Sequence, residues 1–237
     1  MSLLPGLLCV VLATSWCHAF GESEMLRFEV TWRGNKAAHG DIRMTRESDL
    51  NKVVVQAVSD GYLKALIEVW SRVQAQFTAG TMEPRWYQFV LKSNRLAEEV
   101  VDLKFDHKKK LVRVDKLKGD EREVHSEQFT RIYDPVTAIY LLRSQRDLTK
   151  PMFVDIYDGK DRARLFVNPA GHETVKIKAG SHPAFRLNLR LVKLTGDKKE
   201  LGKGQLWLST DPRRVPLLLT SEPVVGQVRF ELVHSPM

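Results

Sequence analysis

Apolar and polar residues alternate along most of this chain. In the clearest stretch, Phe185, Leu187, Leu189 and Leu191 alternate with Arg186, Asn188 and Arg190. Residues 25–32 repeat the pattern near the N-terminus. A period of two residues places successive side chains on opposite faces of a β-strand. The pattern therefore predicts a chain that is rich in strands with one buried face.

One stretch departs from this alternation and predicts the main helix, over about residues 134–145. Asp134 can accept backbone N–H bonds as an N-cap, and Pro135 suits the first helical position, where its missing N–H costs nothing. Apolar residues then recur at helical spacing. A second, short helix is predicted between Tyr62 and Trp70 from a similar but weaker spacing.

The remaining segments predict roughly a dozen short strands at the turn spacing of antiparallel sandwiches and barrels. Residues 153–157 and 163–167 are predicted to form a hairpin, because Asp158-Gly159 supplies the positive φ angles of a two-residue turn. Residues 175–179 are predicted to form the next strand. Strands and helices do not alternate along the chain, so the pattern gives no indication of a parallel sheet. The prediction is an all-β, mainly antiparallel domain with one or two short helices.

Residues 1–19 have the pattern of a secretory signal peptide. Positions 3–16 are apolar, and the first charged side chain is that of Glu22. The apolar stretch is too short to span a bilayer comfortably. Small residues at the −3 and −1 positions favour cleavage after Ala19. We therefore expect a periplasmic protein, residues 20–237, that forms a single domain without a transmembrane span.

Cleavage after Ala19 would remove Cys9 and Cys17, so the mature chain is expected to have neither disulfides nor thiol chemistry. The net charge of +8 arises from 37 Lys and Arg against 29 Asp and Glu. A solvated surface is one interpretation of this charge. The other is attraction to an anionic lipid, glycolipid or envelope polysaccharide. Nucleic acid is not expected as a partner, because the chain has no recognition motif for it.

Several short motifs resemble a bacterial family, domain of unknown function 3108. They are Ser59-Asp60-Gly61, Pro84 followed by Arg85 and Tyr87, Phe105-Asp106, Asp134-Pro135, Tyr140-Leu141-Leu142-Arg143, Trp207-Leu208-Ser209-Thr210-Asp211, Arg214-Val215-Pro216 and Gly226-Gln227-Val228. The resemblance covers about residues 25–233. It implies an exported envelope protein whose curved antiparallel sheet forms a half-barrel or a clam-like barrel. It implies no activity and carries over no catalytic residues.

Aromatic and basic residues supply the candidate ligand site. An aromatic-lined pocket between sheet and helix would suit an apolar ligand, although aromatic residues are also common in plain cores. Arg143 could meet an anionic group of that ligand, or it could form an internal ion pair or cap the helix. If Arg143 is buried, it needs a partner. The residues predicted as ligand-binding are Trp70, Trp86, Tyr133, Tyr140, Arg143 and Trp207.

Catalytic and cofactor signatures are absent from the sequence. No Gly-x-Ser-x-Gly elbow presents a nucleophile, no Gly-rich loop is placed to cradle phosphates, and no carboxylates are paired by spacing. The histidines lack the short paired spacing of a zinc site. The sequence thus predicts no catalytic residue, no metal site and no cofactor.

Three functional hypotheses follow. The first is a non-enzymatic periplasmic protein that binds or carries an apolar or amphipathic molecule, such as a lipid, glycolipid or polysaccharide precursor. The second is a structural or assembly factor that docks another envelope protein through a sheet edge or basic face. The third is an envelope hydrolase acting on polysaccharide or lipid. A deep cleft favours the first, an unpaired strand edge the second, and convergent titratable groups the third.

Overall fold

The computed structural model describes residues 21–222 and 226–235, so the predicted signal peptide and its cleavage after Ala19 lie outside the described residues. The described residues form fourteen strands and two helices. The helices are α1 (Gly61–Leu66) and α2 (Pro135–Arg143). The strands are β1 (Ser23–Trp32), β2 (Asn35–Glu47), β3 (Leu50–Ser59), β4 (Val69–Thr78), β5 (Pro84–Ser93), β6 (Glu99–Asp106), β7 (Leu111–Lys118), β8 (Glu121–Gln128), β9 (Met152–Tyr157), β10 (Arg162–Ile177), β11 (Gly180–Lys193), β12 (Glu200–Ser209), β13 (Pro216–Ser221) and β14 (Val228–His234).

All of the strands belong to one antiparallel sheet, in the order β8-β7-β6-β5-β4-β3-β2-β1-β14-β13-β12-β11-β10-β9. The N-terminal and C-terminal strands pair in its middle, through Val30 and Phe230 among others. Each half is an up-and-down meander, which is what alternating strands joined by short connections produce. The all-β, mainly antiparallel prediction is confirmed, and so is the curved, barrel-like form that the resemblance implied.

The two end strands of the sheet come together without pairing as strands. Tyr133, just before α2, forms a parallel bridge with Ile156 of β9. Across the same seam, the Tyr157 hydroxyl donates to Glu127 Oε1 at 2.7 Å, and Arg162 Nη2 donates to the Gln128 carbonyl at 2.6 Å. Side chains and one backbone bridge therefore hold the edges together, and the β-ladder itself does not close.

Gly159, in the turn between β9 and β10, lies against the other half of the sheet. Its φ is +88°, and a Cβ at this position would stand 2.4 Å from Val101 Cγ1. A side chain would therefore meet both a strained backbone and an occupied space. The seam requires glycine at this position.

Helix α2 lies inside the curve and joins the two halves of the core. Leu142 is fully buried among residues of β10–β12, including Leu165 and Leu187. Tyr140 packs on the other side against Met44 and Phe77, with a centroid distance of 5.4 Å between the Phe77 and Tyr140 rings. The predicted main helix is confirmed, with Asp134 as its N-cap and its end at Arg143.

Three sequence predictions change in detail. The short helix covers only Gly61–Leu66, and none of its residues is buried; Trp70 already belongs to β4. Its predicted extension was wrong because the apolar residues after Leu66 follow the strand period.

The connection between β9 and β10 has four residues rather than two, since Tyr157 pairs with Arg162. Asp158 accounts for the longer turn, because its Oδ1 accepts the N–H groups of Lys160 and Asp161.

Residues 175–177 of the strand predicted at 175–179 are instead the far end of β10, which continues through an irregularity between Pro169 and Gly171, and residues 178–179 form the turn after it. A bulge of this kind re-aims a strand without ending it. The tip of the β10–β11 hairpin then reaches the middle of the sheet. There the backbone N–H of Lys178 donates to Glu231 Oε1 at 2.6 Å, and its Nζ pairs with Glu29.

Candidate functional site: a groove between the main helix and a terminal strand

A groove of about 450 Å³ runs between α2, the segment that precedes it and β9. Its lining residues are Arg131, Tyr133, Leu141, Gln145, Pro151, Met152, Phe153, Val154 and Asp155. Leu141 belongs to α2, and Met152 and Val154 to β9, so one wall is a helix and the other a strand. Apolar walls with a few polar groups are typical of sites for small molecules.

The strand side of the groove is the edge of the sheet. β9 pairs with β10 on one side and stands last in the strand order. On its other side, Tyr133 takes up two backbone groups: its N–H donates to the Asp155 carbonyl and its carbonyl accepts from the Tyr157 N–H, both at 2.9 Å. Phe153 lies beyond this bridge and is 55% exposed. The groove thus begins where the seam between the sheet edges ends.

Two arginines set the electrostatics of the groove mouth. Arg131 is exposed, and its Nε donates to the Tyr133 hydroxyl at 3.1 Å. Arg164 stacks over the Phe153 ring, with 4.1 Å between Cζ and the ring centroid, and its Nε and Nη2 reach the Asp155 carboxylate at 2.7 and 2.9 Å. Because Asp155 is neutralised by Arg164, Arg131 supplies the net positive charge at the mouth.

Asp134 fixes the start of the helix that forms one wall. Its Oδ1 accepts the Thr137 N–H at 2.9 Å and its Oδ2 accepts the Thr137 hydroxyl at 2.5 Å. The residue is fully buried. Burial penalises the charged carboxylate and raises its pKa to about 6, although the bonds from Thr137 oppose that rise.

The Asp134→Asn variant is expected to remove a pH dependence of stability. With a folded pKa of about 6 against 3.8 for the ordinary group, native Asp134 holds its proton more tightly than the unfolded chain does. This stabilisation is complete below pH 3.8 and is lost as pH rises through 6. The unfolding free energy of the native protein minus that of Asp134→Asn should therefore fall by about 3 kcal/mol between those limits. Denaturant unfolding at a series of pH values measures it, and a pH-independent difference would refute the titration.

The residues predicted as ligand-binding do not share one cavity. Tyr133 lines the groove just described. Trp70 lines a separate surface groove of about 340 Å³ with Val58, Lys64 and Lys92. Trp86 donates from Nε1 to Asp102 Oδ2 at 2.8 Å on β6, and Trp207 donates from Nε1 to Glu173 Oε1 at 2.6 Å on β10. The structure therefore separates the three tryptophans.

Tyr140 and Arg143 are brought together, and both are buried. Arg143 Nη1 and Nη2 donate to the two carboxylate oxygens of Glu24 at 2.9 and 2.5 Å, and the Tyr140 hydroxyl donates to the same carboxylate at 3.1 Å. Arg143 also donates to the carbonyls of Arg213 and Arg214, at 3.1 and 3.0 Å, in the connection between β12 and β13. Burial lowers the pKa of Arg143, but its bonds with Glu24 outweigh that effect and raise the pKa overall. This geometry matches the internal ion pair that the sequence left open as an alternative.

Arg131, Leu141 and Phe153 line the groove, although the sequence analysis did not predict them as ligand-binding residues. In the sequence, Phe153 does not differ from the many other apolar strand residues, and Arg131 does not differ from the many other surface cations. Their grouping depends on where the two ends of the sheet meet, which no local pattern encodes. The one sequence signal for this part of the groove was Asp134-Pro135, because it predicted the start of a helix directly after Arg131 and Tyr133.

A family model covers nearly the whole described fold: the protein of unknown function family DUF3108 matches residues 27–233. The chain belongs to the DUF3108 family. This confirms the resemblance seen in the short motifs. No protein of curated function matches this DUF3108 chain. Membership assigns the chain to a family without assigning it an activity.

Solved structures similar to this DUF3108 chain share its architecture at low identity. A β-barrel-like protein of the DUF1849 family from Brucella abortus has a TM-score of 0.62 at 11% identity, covering 90% of this chain and 96% of its own. A candidate exported protein from Bacteroides fragilis has a TM-score of 0.40 at 11% identity, with coverages of 92% and 97%. A candidate lipoprotein from Parabacteroides distasonis has a TM-score of 0.40 at 10% identity, with coverages of 91% and 96%. The first supports the barrel-like fold.

Neither α1 nor α2 is long and apolar enough to cross a membrane. Within residues 21–222 and 226–235, no three His, Cys, Asp or Glu side chains come close enough to hold a metal ion.

Proposed function

We propose that this DUF3108 protein is an exported, non-enzymatic envelope protein that binds an amphipathic molecule in the groove between α2 and β9. The observation that carries the proposal is the composition of that groove. Leu141, Met152 and Val154 offer an apolar wall, while Arg131 stands at the mouth without a carboxylate partner among the described residues. An alkyl chain fits the wall, and an anionic headgroup fits the cation.

The proposed location is the bacterial periplasm. Its support is the apolar N-terminal segment with small residues before the predicted cleavage site, together with a chain whose cysteines both precede that site. The DUF3108 resemblance also implies an exported envelope protein. Lipids and glycolipids of the envelope would then be the natural source of a ligand with an apolar chain and an anionic headgroup.

Binding is favoured over catalysis by the groups that line the groove. A polysaccharide or lipid hydrolase needs two convergent titratable groups. Asp155 is the one carboxylate among the lining residues, and it is held in two hydrogen bonds by Arg164. Because Asp155 already accepts hydrogen bonds from Arg164, it is not free to act as a general acid or base. The groove is therefore better suited to binding a molecule than to cleaving it.

The second candidate function is docking of another envelope protein by strand addition. The terminal position of β9 favours it, because the Tyr133 bridge covers only part of its free edge. An incoming strand could use main-chain groups near Phe153, whose exposed ring would add an apolar contact. This partner would compete with an amphipathic ligand, since Phe153 belongs to both surfaces.

Groove variants are expected to weaken binding of a single-chain anionic lipid, lysophosphatidylglycerol. Leu141→Asn and Phe153→Ser each remove an apolar contact worth about 1.5–3 kcal/mol, which corresponds to roughly 10- to 100-fold in Kd. Arg131→Gln should reduce the preference over lysophosphatidylcholine, whose headgroup has no net charge. Isothermal titration calorimetry measures all three effects.

Leu96→Ser is the matched control, because Leu96 is 54% exposed and lies outside the groove lining. Its Kd should equal that of the native protein. Equal binding by the native protein, Leu141→Asn and Phe153→Ser would reject the groove as the site. If the native protein does not bind the lipid, and a strand-forming peptide protects the backbone amides of the β9 edge from hydrogen exchange, protein docking replaces lipid binding as the proposed function.

A further inference from the structure

The outward face of β10–β12 carries a regular set of side chains that the groove does not use. Register places Phe166, Arg190 and Lys203 in one row across the three strands, and Asn168, Asn188 and Gln205 in the next. Directly paired residues on neighbouring strands share a face of the sheet. We call these six residues the amide–arginine face.

The opposite face of the same strands is committed to the core. Leu165, Val167, Leu187 and Leu206 alternate with the six residues and are buried in the cluster that surrounds Leu142. Asn168, Asn188, Arg190 and Lys203 are in contrast exposed. The amide–arginine face is therefore a solvent-facing surface whose backbone is fixed by the packing beneath it.

Arg190 is held in place by an aromatic ring rather than by an acid. Its Cζ lies 4.8 Å from the centroid of the Phe166 ring. Neighbouring cations have carboxylate partners: Arg164 pairs with Asp155, Arg186 with Glu173, and Lys203 with Glu222. Among the described residues, no acidic group pairs with Arg190. The guanidinium is planar, so its N–H donors can bind a carboxylate in a bidentate manner while the Phe166 ring holds the group in place.

The amides beside it can serve a polyhydroxylated ligand. Gln205 Nε2 donates to Asn188 Oδ1 at 2.8 Å, which orients both amides and leaves the donor group of Asn188 toward solvent. Amides both donate and accept, so they match sugar hydroxyls, which do the same. Two steps between strands make the surface about 10 Å wide, enough for a short stretch of a chain.

We propose that the amide–arginine face binds an anionic polysaccharide whose sugars carry carboxylates. A sugar carboxylate pairs with Arg190, and neighbouring hydroxyls meet Asn168, Asn188 and Gln205. The acid group favours a uronate chain over a neutral glycan. This surface adjoins the α2–β9 groove, because Phe166 pairs directly with Phe153, but none of its six residues lines the groove, and its binding does not depend on a lipid.

Binding of a uronic-acid oligosaccharide, measured by isothermal titration calorimetry on the full mature protein, tests this assignment. A neutral oligosaccharide of glucose of equal length is the ligand control. Arg190→Gln should raise the Kd for the uronate about tenfold, as expected for the loss of a charge-assisted hydrogen-bond pair. An Asn188→Ala, Gln205→Ala double variant should weaken binding to a similar extent.

Arg113→Gln is the matched protein control, since Arg113 is an exposed strand arginine on β7, in the other half of the sheet. It should bind as the native protein does, and Leu141→Asn should also leave uronate binding unchanged even if it abolishes lipid binding. The proposal is overturned if the uronate does not bind or if the glucose oligosaccharide binds equally well. It is also overturned if Arg113→Gln weakens binding as much as Arg190→Gln, because general attraction to the positive charge would then explain the result.

Discussion

Replacing Arg143 by Met is expected to lower the free energy of unfolding by about 3–5 kcal/mol. Arg143 is 1% exposed and Glu24 is 12% exposed, so the variant leaves a mostly buried carboxylate without its cation. Two backbone carbonyls in the β12–β13 connection lose a donor as well. Urea unfolding, followed by circular dichroism, measures the change.

Arg27→Met is the matched control on the same sheet. Arg27 pairs with Asp41, but its side chain is 49% exposed, so this change should destabilise the protein far less than Arg143→Met does. The double variant Glu24→Gln, Arg143→Met should recover part of the loss, because the unpaired charge is gone. If Arg143→Met costs no more than Arg27→Met, the ion pair does not anchor α2.

Replacing Leu142 by Ala is expected to cost about 2–5 kcal/mol, the range for a large-to-small change in a packed core. Leu142 is fully buried and is the residue through which α2 packs on β10–β12. The cavity would lie between the helix and one half of the sheet, within the cluster that includes Leu165 and Leu187. Thermal and urea unfolding of the variant test this value.

Leu117→Ala provides the comparison, since Leu117 is 38% exposed and its loss should cost less than about 1 kcal/mol. Equal destabilisation by the two changes would mean that α2 contributes no more to the core than a surface strand does. A larger loss at Leu142 supports the view that the helix holds the two halves of the curved sheet together.

The sequence predicted the elements that depend on local chemistry. Asp134 and Pro135 define a helix start because capping and a fixed φ act within one turn. Alternation from Phe185 to Leu191 predicts a strand, which is part of β11, because every second side chain of a strand faces the same side of the sheet. Local patterns did not predict that β10 continues beyond Pro169, since a bulge lets a strand pass an irregular residue and keep pairing.

The candidate site could be predicted only in part, because it is assembled from distant segments. Arg143 was expected to need a partner if buried, but nothing near it in sequence points to Glu24, which lies 119 positions away. The tryptophans were grouped by residue type, while strand register decides which face each of them occupies. Phe153 and Arg131 line the same groove only because the ends of a fourteen-stranded sheet come together beside α2.

Native mass spectrometry of the protein, after export to a bacterial periplasm and purification without detergent, shows whether the groove between α2 and β9 holds an amphipathic molecule. We expect a stoichiometric amphipathic adduct on the native protein and on Leu96→Ser, and its loss from Leu141→Asn and Phe153→Ser. A mass of the protein alone that stays unchanged after incubation with envelope lipid extract would rule out binding in the groove. So would an adduct that both groove variants retain.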